Sequence, residues 1–202
     1  MTKKSITLGL LVALSTLLMA GCGQANQGPS PSQLIITVLE AGSGRAGPPS
    51  VFTGTLLSDV IDHNTNTIFD DFARVTMNLH LKDPGVPGIL QAPSALNDIT
   101  IKRYHVAYRR ADGRNTPGVD VPYPFDSAVT FTVFAGQGGV SVFELVRHVA
   151  KAEAPLASLA NNFTVINTIA DVTFYGQDQA GNNATITGSI GVNFGDFADP
   201  AP

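Results

Sequence analysis

Between Arg74 and Lys82 the chain reads Arg-Val-Thr-Met-Asn-Leu-His-Leu-Lys, polar at every even position and apolar at every odd one. A period of two is that of an extended strand with one face buried and the other in water. The same alternation runs from Thr185 to Phe194. Ile186, Ile190, Val192 and Phe194 share one face there, and Thr185, Thr187, Ser189 and Asn193 the other. Val129, Phe131 and Val133 form a third set. In 99–110 the phase changes: Ile99 and Ile101 share a face with Tyr104, Val106 and Tyr108 only if one residue is inserted between, which predicts a β-bulge near Lys102–Arg103. Further strands are expected at 34–40, 51–61, 140–150 and 163–175. About eight strands joined by turn-rich connections predict an all-β fold, an antiparallel β-sandwich with long loops at 83–98 and 111–127. Helix is scarce: Ala152–Ala160 has room for one turn, interrupted by Pro155. With 44% hydrophobic residues the chain has enough apolar surface for a core, and 20 Gly and 13 Pro suit its turns. A net charge of −4 and 14% charged residues argue against a nucleic-acid partner.

The first 22 residues follow a different logic. Lys3 and Lys4 precede an apolar stretch from Ile6 to Met19, and Ala20, Gly21 and Cys22 close it. At about 1.5 Å per residue, the stretch is too short for a hydrocarbon core of about 30 Å, so it reads as a secretion signal. Leu18-Met19-Ala20-Gly21-Cys22 resembles the lipobox of bacterial lipoprotein precursors, with Met19 where Leu is commoner. That resemblance implies cleavage before Cys22, a diacylglyceryl thioether on its sulfur and an acyl group such as palmitate on its new amine. Two or three chains give a stable anchor where one gives a marginal one. Cys22 is the only cysteine, so no intramolecular disulfide competes for it. In that family Asp after the cysteine marks inner-membrane retention. Gly23 therefore favours the outer membrane over the inner membrane or cell surface.

Domain organisation follows: a signal peptide (1–21), lipidated Cys22 with a Gly/Ser/Pro tether (22–32), and one β domain (33–202). Processing removes Lys3 and Lys4, leaving ten basic against sixteen acidic residues, a net −6. Such a domain gains nothing from anionic headgroups, so lipid is the expected attachment.

The clearest hairpin lies at the C-terminal side, where Phe174-Tyr175-Gly176 and Thr185-Ile186-Thr187 flank the Gly/Asn/Asp-rich loop 177–183. Asp171-Val172-Thr173-Phe174-Tyr175-Gly176 followed by Asp178-Gln179-Ala180-Gly181-Asn182 resembles the closing hairpin of bacterial immunoglobulin-like domains. Ile101–Arg109 is similar to the tyrosine-bearing central strand of immunoglobulin-like and fibronectin type III modules. The resemblance implies an immunoglobulin-like sandwich. The Cys pair and Trp of antibody domains are absent, so it concerns architecture alone. The run Tyr108–Arg114 resembles a segment of uncharacterised bacterial lipoproteins and implies no activity.

Three stretches carry candidate chemistry. Asp62, Asn64, Asn66 and Asp70 offer oxygens at loop positions 1, 3, 5 and 9, the donor type calcium takes, although Thr67 and Ala73 stand where an EF-hand needs Gly and Glu. The simpler reading is an Asx-rich turn. Gly136-Gln137-Gly138-Gly139 lacks the Lys and the helix of a phosphate loop and reads as a hairpin. The stretch 109–126 combines Arg109, Arg110 and Arg114 with Asp112, Asp120 and Asp126, and holds Tyr123 and Phe125 between prolines. Arg and Tyr in a long, Pro-stiffened loop make a candidate binding surface. Against this, the arginines can pair with the aspartates while Phe125 plugs the core. A Gly-x-Ser-x-Gly elbow is missing, and His63, His80, His105 and His148 each have an ordinary role available, His80 and His105 on the solvent side of strands. The expected function is a non-catalytic, lipid-anchored envelope protein that binds a protein partner or serves structurally. The alternative is a calcium-dependent adhesin or an envelope enzyme.

Overall fold

The computed structural model describes residues 28–45 and 51–199. The leader, Cys22 and the first part of the tether lie outside them. The architecture is all-β. Strands β1 (Ser32–Ser43), β3 (Asp71–Leu81) and β8 (Gly139–Val146) form an antiparallel sheet in the order β1-β3-β8. Strands β2 (Thr55–Asp59), β6 (Ile99–Arg109), β7 (Phe125–Val133), β9 (Ile166–Asp178) and β10 (Asn183–Gly195) form the second, in the order β2-β10-β9-β6-β7. A two-residue pair, β4 (Gly85–Val86) with β5 (Ile89–Leu90), makes a small separate hairpin. One helical turn, α1 (His148–Lys151), and 3-10 turns at Ala95–Asn97 and Leu156–Leu159 complete the elements.

The alternation in sequence becomes the core directly. Ala73, Val75, Met77 and Leu79 point inward from β3, and Ile190, Val192 and Phe194 from β10. In β6, Ile99 and Ile101 point inward, the register slips between Ile101 and Arg103, and Tyr104, Val106 and Tyr108 point inward again. The inserted residue keeps both halves of a long strand on one core face. Two tyrosines of β6 then tie the sheets together. The Tyr104 hydroxyl donates to the Glu144 carbonyl at 2.9 Å and the Tyr108 hydroxyl to the Leu145 carbonyl at 2.6 Å. The Tyr104 ring meets Phe143 edge-on at 4.9 Å between centroids, and Phe143 meets Phe174 at 5.2 Å. Burial pushes the Tyr108 phenol well up, so it stays a donor. Along one side β1 lies close over β10, an approach that Gly188 permits: a Cβ there would stand 2.8 Å from Ile36 Cδ1.

Several expectations are corrected. Strand β2 occupies only 55–59 of the expected 51–61 and runs parallel to β10, because the chain crosses from the first sheet to the edge of the second after β1. The strand expected at 140–150 stops at Val146, where the Asp70 carboxylate accepts the His148 N–H and the chain turns into α1. Strand β9 starts at Ile166 and runs on to Asp178, and Gln177 pairs with Asn183, so the closing loop shrinks to 179–182. Residues 28–32, expected in the tether, belong to the folded module. The Asn183 N–H donates to the Gly28 carbonyl and the Ser30 N–H to the Asn183 carbonyl, each at 2.9 Å, and Ser30 and Ser32 are buried. The buried Asp178 carboxylate accepting the Ser30 hydroxyl at 2.9 Å supplies the reason.

The registers give the module two ends. Residues 28–31, the long 82–98 connection, the 134–138 turn and the 179–182 turn share one end. Residues 60–70, 110–124, 147–165 and 196–199 share the other. A 13-residue strand such as β9 spans roughly 40 Å between them at about 3.3 Å per residue.

Candidate functional site

The end opposite residues 28–31 gathers most of the titratable chemistry the sequence singles out. Its largest piece is the 110–124 connection, which folds upon itself. Arg110 and Arg114 both grip Asp112 through Nε and Nη2, with the Nη2 atoms at 2.7 and 2.8 Å from Oδ2, and the Arg114 backbone N–H also donates at 3.1 Å. These hydrogen bonds, Arg110 first, hold the Asp112 carboxyl far below the usual range. Asn115 accepts the Arg110 N–H at 2.6 Å, and the Thr116 carbonyl accepts N–H groups from Val119, Asp120 and Val121. Gly118 sits at φ +75 with the Tyr123 ring stacked where a side chain would be, its hydroxyl 2.3 Å from the Cβ position. Val121 is buried, which nails the loop to the core.

The five residues expected to form a binding surface therefore separate. Arg109 lies back along the sheet and pairs with Asp171 of β9 at 2.7 Å. Phe125 is buried, with the Tyr104 ring 6.1 Å away and the Arg147 guanidinium 4.3 Å over its face, and so is a core residue rather than a contact residue. The reason is position: Phe125 opens β7 on its inward phase. Arg110 is mostly covered, with its side chain 17% exposed, while Arg114 and Tyr123 remain open at 63% and 54%.

The oxygens expected to hold calcium are also divided. Asp62 is bound by Arg45 Nε at 2.6 Å and by the N–H groups of Asn64 and Thr65, and Asp62 and Thr67 pair through their backbones across a tight turn. Asn66 takes φ +53 inside that turn, a conformation Asn tolerates better than most residues. Burial works against the Asp62 charge, yet Arg45 and the turn N–H groups hold its pKa down. His63 reaches away to Asp196 at 3.0 Å. This is the Asx turn, braced by arginine.

Asp70 belongs to a different group. Its Oδ1 accepts from His148 Nδ1 at 2.7 Å, and one donor atom each from Asp70, Glu144 and His148 lies within 4.8 Å of the others. Burial pushes the Glu144 carboxyl up, and the neighbouring Asp70 carboxylate pushes further, to about 7. Burial also opposes the Asp70 charge, but the His148 N–H and ring hold that carboxyl low. Two carboxylates so close can share a proton.

One group escaped sequence reasoning. Lys151 Nζ lies 2.8 Å from Asp71 Oδ2, and both side chains are fully buried. The Ser58 hydroxyl donates to the same carboxylate at 2.7 Å, the Gly44 N–H donates at 3.2 Å, and the ammonium stands 4.2 Å over the Phe69 ring. Burial drives the Asp71 pKa up and that of Lys151 down, and each partner opposes the other's shift. Asp71 shares the inward phase of Val75 and Met77, so a buried acid was readable from the alternation. Lys151 lies just past the strand expected at 140–150, where no periodic signal marks it for burial. His80 stays exposed, and His105 pairs with Asp126 at 3.1 Å on the outer face of β6. An open groove of about 460 Å³ lies between Lys102, Arg103, Tyr175 and Asn183, and neither His105 nor His148 lines it. Among the described residues no helix is long and apolar enough to cross a membrane. The chain matches no family model, and no curated protein is a significant match.

Proposed function

We propose that this protein is a non-catalytic binding module of a bacterial cell envelope, held by lipid on Cys22, with the outer membrane favoured. In this reading its two sheets form an immunoglobulin-like sandwich that presents the 110–124 loop. The observation that carries the reading is that loop's construction. Asp112 clamps two arginines, Gly118 receives the Tyr123 ring and Val121 is sunk in the core, so Arg114 and Tyr123 stand exposed on a frame ordered in advance. Preorganised aromatic and guanidinium groups lose little entropy on meeting a protein partner. The strand registers put the loop at the end away from residues 28–31, which suits a module attached through the residues before them and reaching outward.

The test is capture from crosslinked envelopes with wild-type bait and with Arg114→Ala and Tyr123→Ala baits. Loss of a specific partner from both variants, at unchanged melting temperature, supports the reading. Equal capture by all three contradicts it.

A second reading rests on Asp70, Glu144 and His148. Two carboxylates and an imidazole within 4.8 Å suit a divalent cation of borderline hardness such as Zn²⁺, in place of the all-oxygen calcium set of the calcium-dependent adhesin. Melting with EDTA and with added Zn²⁺ or Ca²⁺ decides it: a cation-dependent rise that Glu144→Gln abolishes supports it, and identical curves remove it.

A further inference from the structure

The end of the module where residues 28–31 enter carries an unusual stretch. From Pro84 to Asn97 the chain has no charged residue, while Val86, Ile89, Leu90 and Leu96 are 60 to 77% exposed. The stretch is not loose chain. Strands β4 and β5 pair, the Gln91 N–H donates to the Pro84 carbonyl at 2.9 Å, and Asp83 accepts the Gly85 N–H at 3.0 Å. At its root the Lys82 N–H donates to the Pro31 carbonyl at 2.9 Å, and Leu81 pairs with Ser32. At its other root Asp98 accepts the Ala135 N–H at 2.8 Å, which ties the connection to the neighbouring turn. An ordered hairpin that exposes its aliphatic side chains leaves most of their apolar surface open.

Chain length says what covers it. Five residues separate Cys22 from Gly28, and at no more than about 3.6 Å per residue the Cys22 Cα lies within about 22 Å of the Gly28 Cα, whatever path the segment takes. If Cys22 is lipidated, as the proposed function holds and as this inference requires, the bilayer surface lies within that reach of the end bearing the hairpin. We propose that the β4–β5 hairpin docks into the lipid surface beside the anchor, with Val86, Ile89 and Leu90 among the acyl chains and Lys82 at headgroup level. The occupant is phospholipid. Apolar side chains of an interfacial element sit about 5–10 Å into the headgroup–acyl boundary, a depth a two-residue-per-strand hairpin can reach. Docking gives the anchored module a second point of attachment and fixes its long axis away from the membrane, so that the 110–124 loop faces outward.

The chain has no Trp, so one introduced Trp is a unique fluorophore. Leu90→Trp and, at the opposite end, Val119→Trp replace exposed residues. Both full-length proteins, purified from membranes in detergent, are reconstituted into phosphatidylethanolamine/phosphatidylglycerol vesicles with brominated acyl chains. Flotation reports the anchor and quenching reports the hairpin. If both variants float, L90W loses most of its emission and V119W keeps its own, the proposal stands. If both float and L90W is unquenched, because the hairpin is solvated or covered by a second copy, the proposal falls while lipidation stands. If neither floats, the Cys22 reading has failed and the docking with it. Equal quenching of both would mean no fixed orientation and would also overturn it.

Discussion

Asp71 and Lys151 stand fully buried 2.8 Å apart, with Ser58 and Gly44 completing the carboxylate's partners. Removing one member of such a pair leaves the other without compensation in a dry core. Lys151→Ala or Asp71→Ala should therefore lower unfolding free energy by about 3–5 kcal/mol, read by urea denaturation. A double variant, Asp71→Leu with Lys151→Met, should recover a large part of that loss because it removes both charges. A single variant as stable as wild type would contradict the pairing. Glu144 makes a prediction of the opposite kind. Its folded pKa is raised from 4.5 to about 7, so the native state binds more protons than the unfolded chain between those values. Glu144 thus costs stability progressively as pH rises through that window, with the full cost present above about 7. Glu144→Gln should flatten the decline in melting temperature across the window in metal-free buffer. A wild-type slope retained in the variant would place the titration elsewhere.

At the scale of elements, period-two alternation was enough to locate β3, β6 and β10 and the face each buries, including the bulge beyond Ile101. It works because one face of each strand meets the opposing sheet, so the burial boundary is written into every second residue. It failed where neighbours decide. Nothing local in 51–61 says that five residues add in parallel to β10, and nothing in 140–150 says that Asp70, far away in sequence, ends the strand at Val146. The candidate loop was half legible. Its arginines and aspartates could pair or could bind, and only the fold seats Asp112 between Arg110 and Arg114 and sinks Phe125 into the core. Two contrasting outcomes follow. Phe125→Ala should cost about 3–5 kcal/mol, as for other buried aromatics, whereas Arg114→Ala, at an exposed side chain, should leave the denaturation midpoint essentially unchanged. Equilibrium denaturation of the two side by side checks both, and a large loss on Arg114→Ala would make it a structural residue rather than a binding one.

For the whole molecule, the two-ended arrangement gives the proposed lipidation at Cys22 its consequence. Residues 28–32 are built into the sheet end that carries the apolar hairpin, and the self-braced loop stands roughly 40 Å away at the opposite end. A tether of five residues outside the described module is too short to let that end stray from an anchored cysteine. The direct measurement is the intact mass and N-terminal peptide of the protein isolated from its own membranes, beside a Cys22→Ala variant. The account predicts a chain beginning at Cys22 that carries a diacylglyceryl thioether and an N-acyl group, and an unmodified variant lost from the membrane fraction. A mature chain with a free thiol at Cys22, recovered in the soluble fraction, would contradict it.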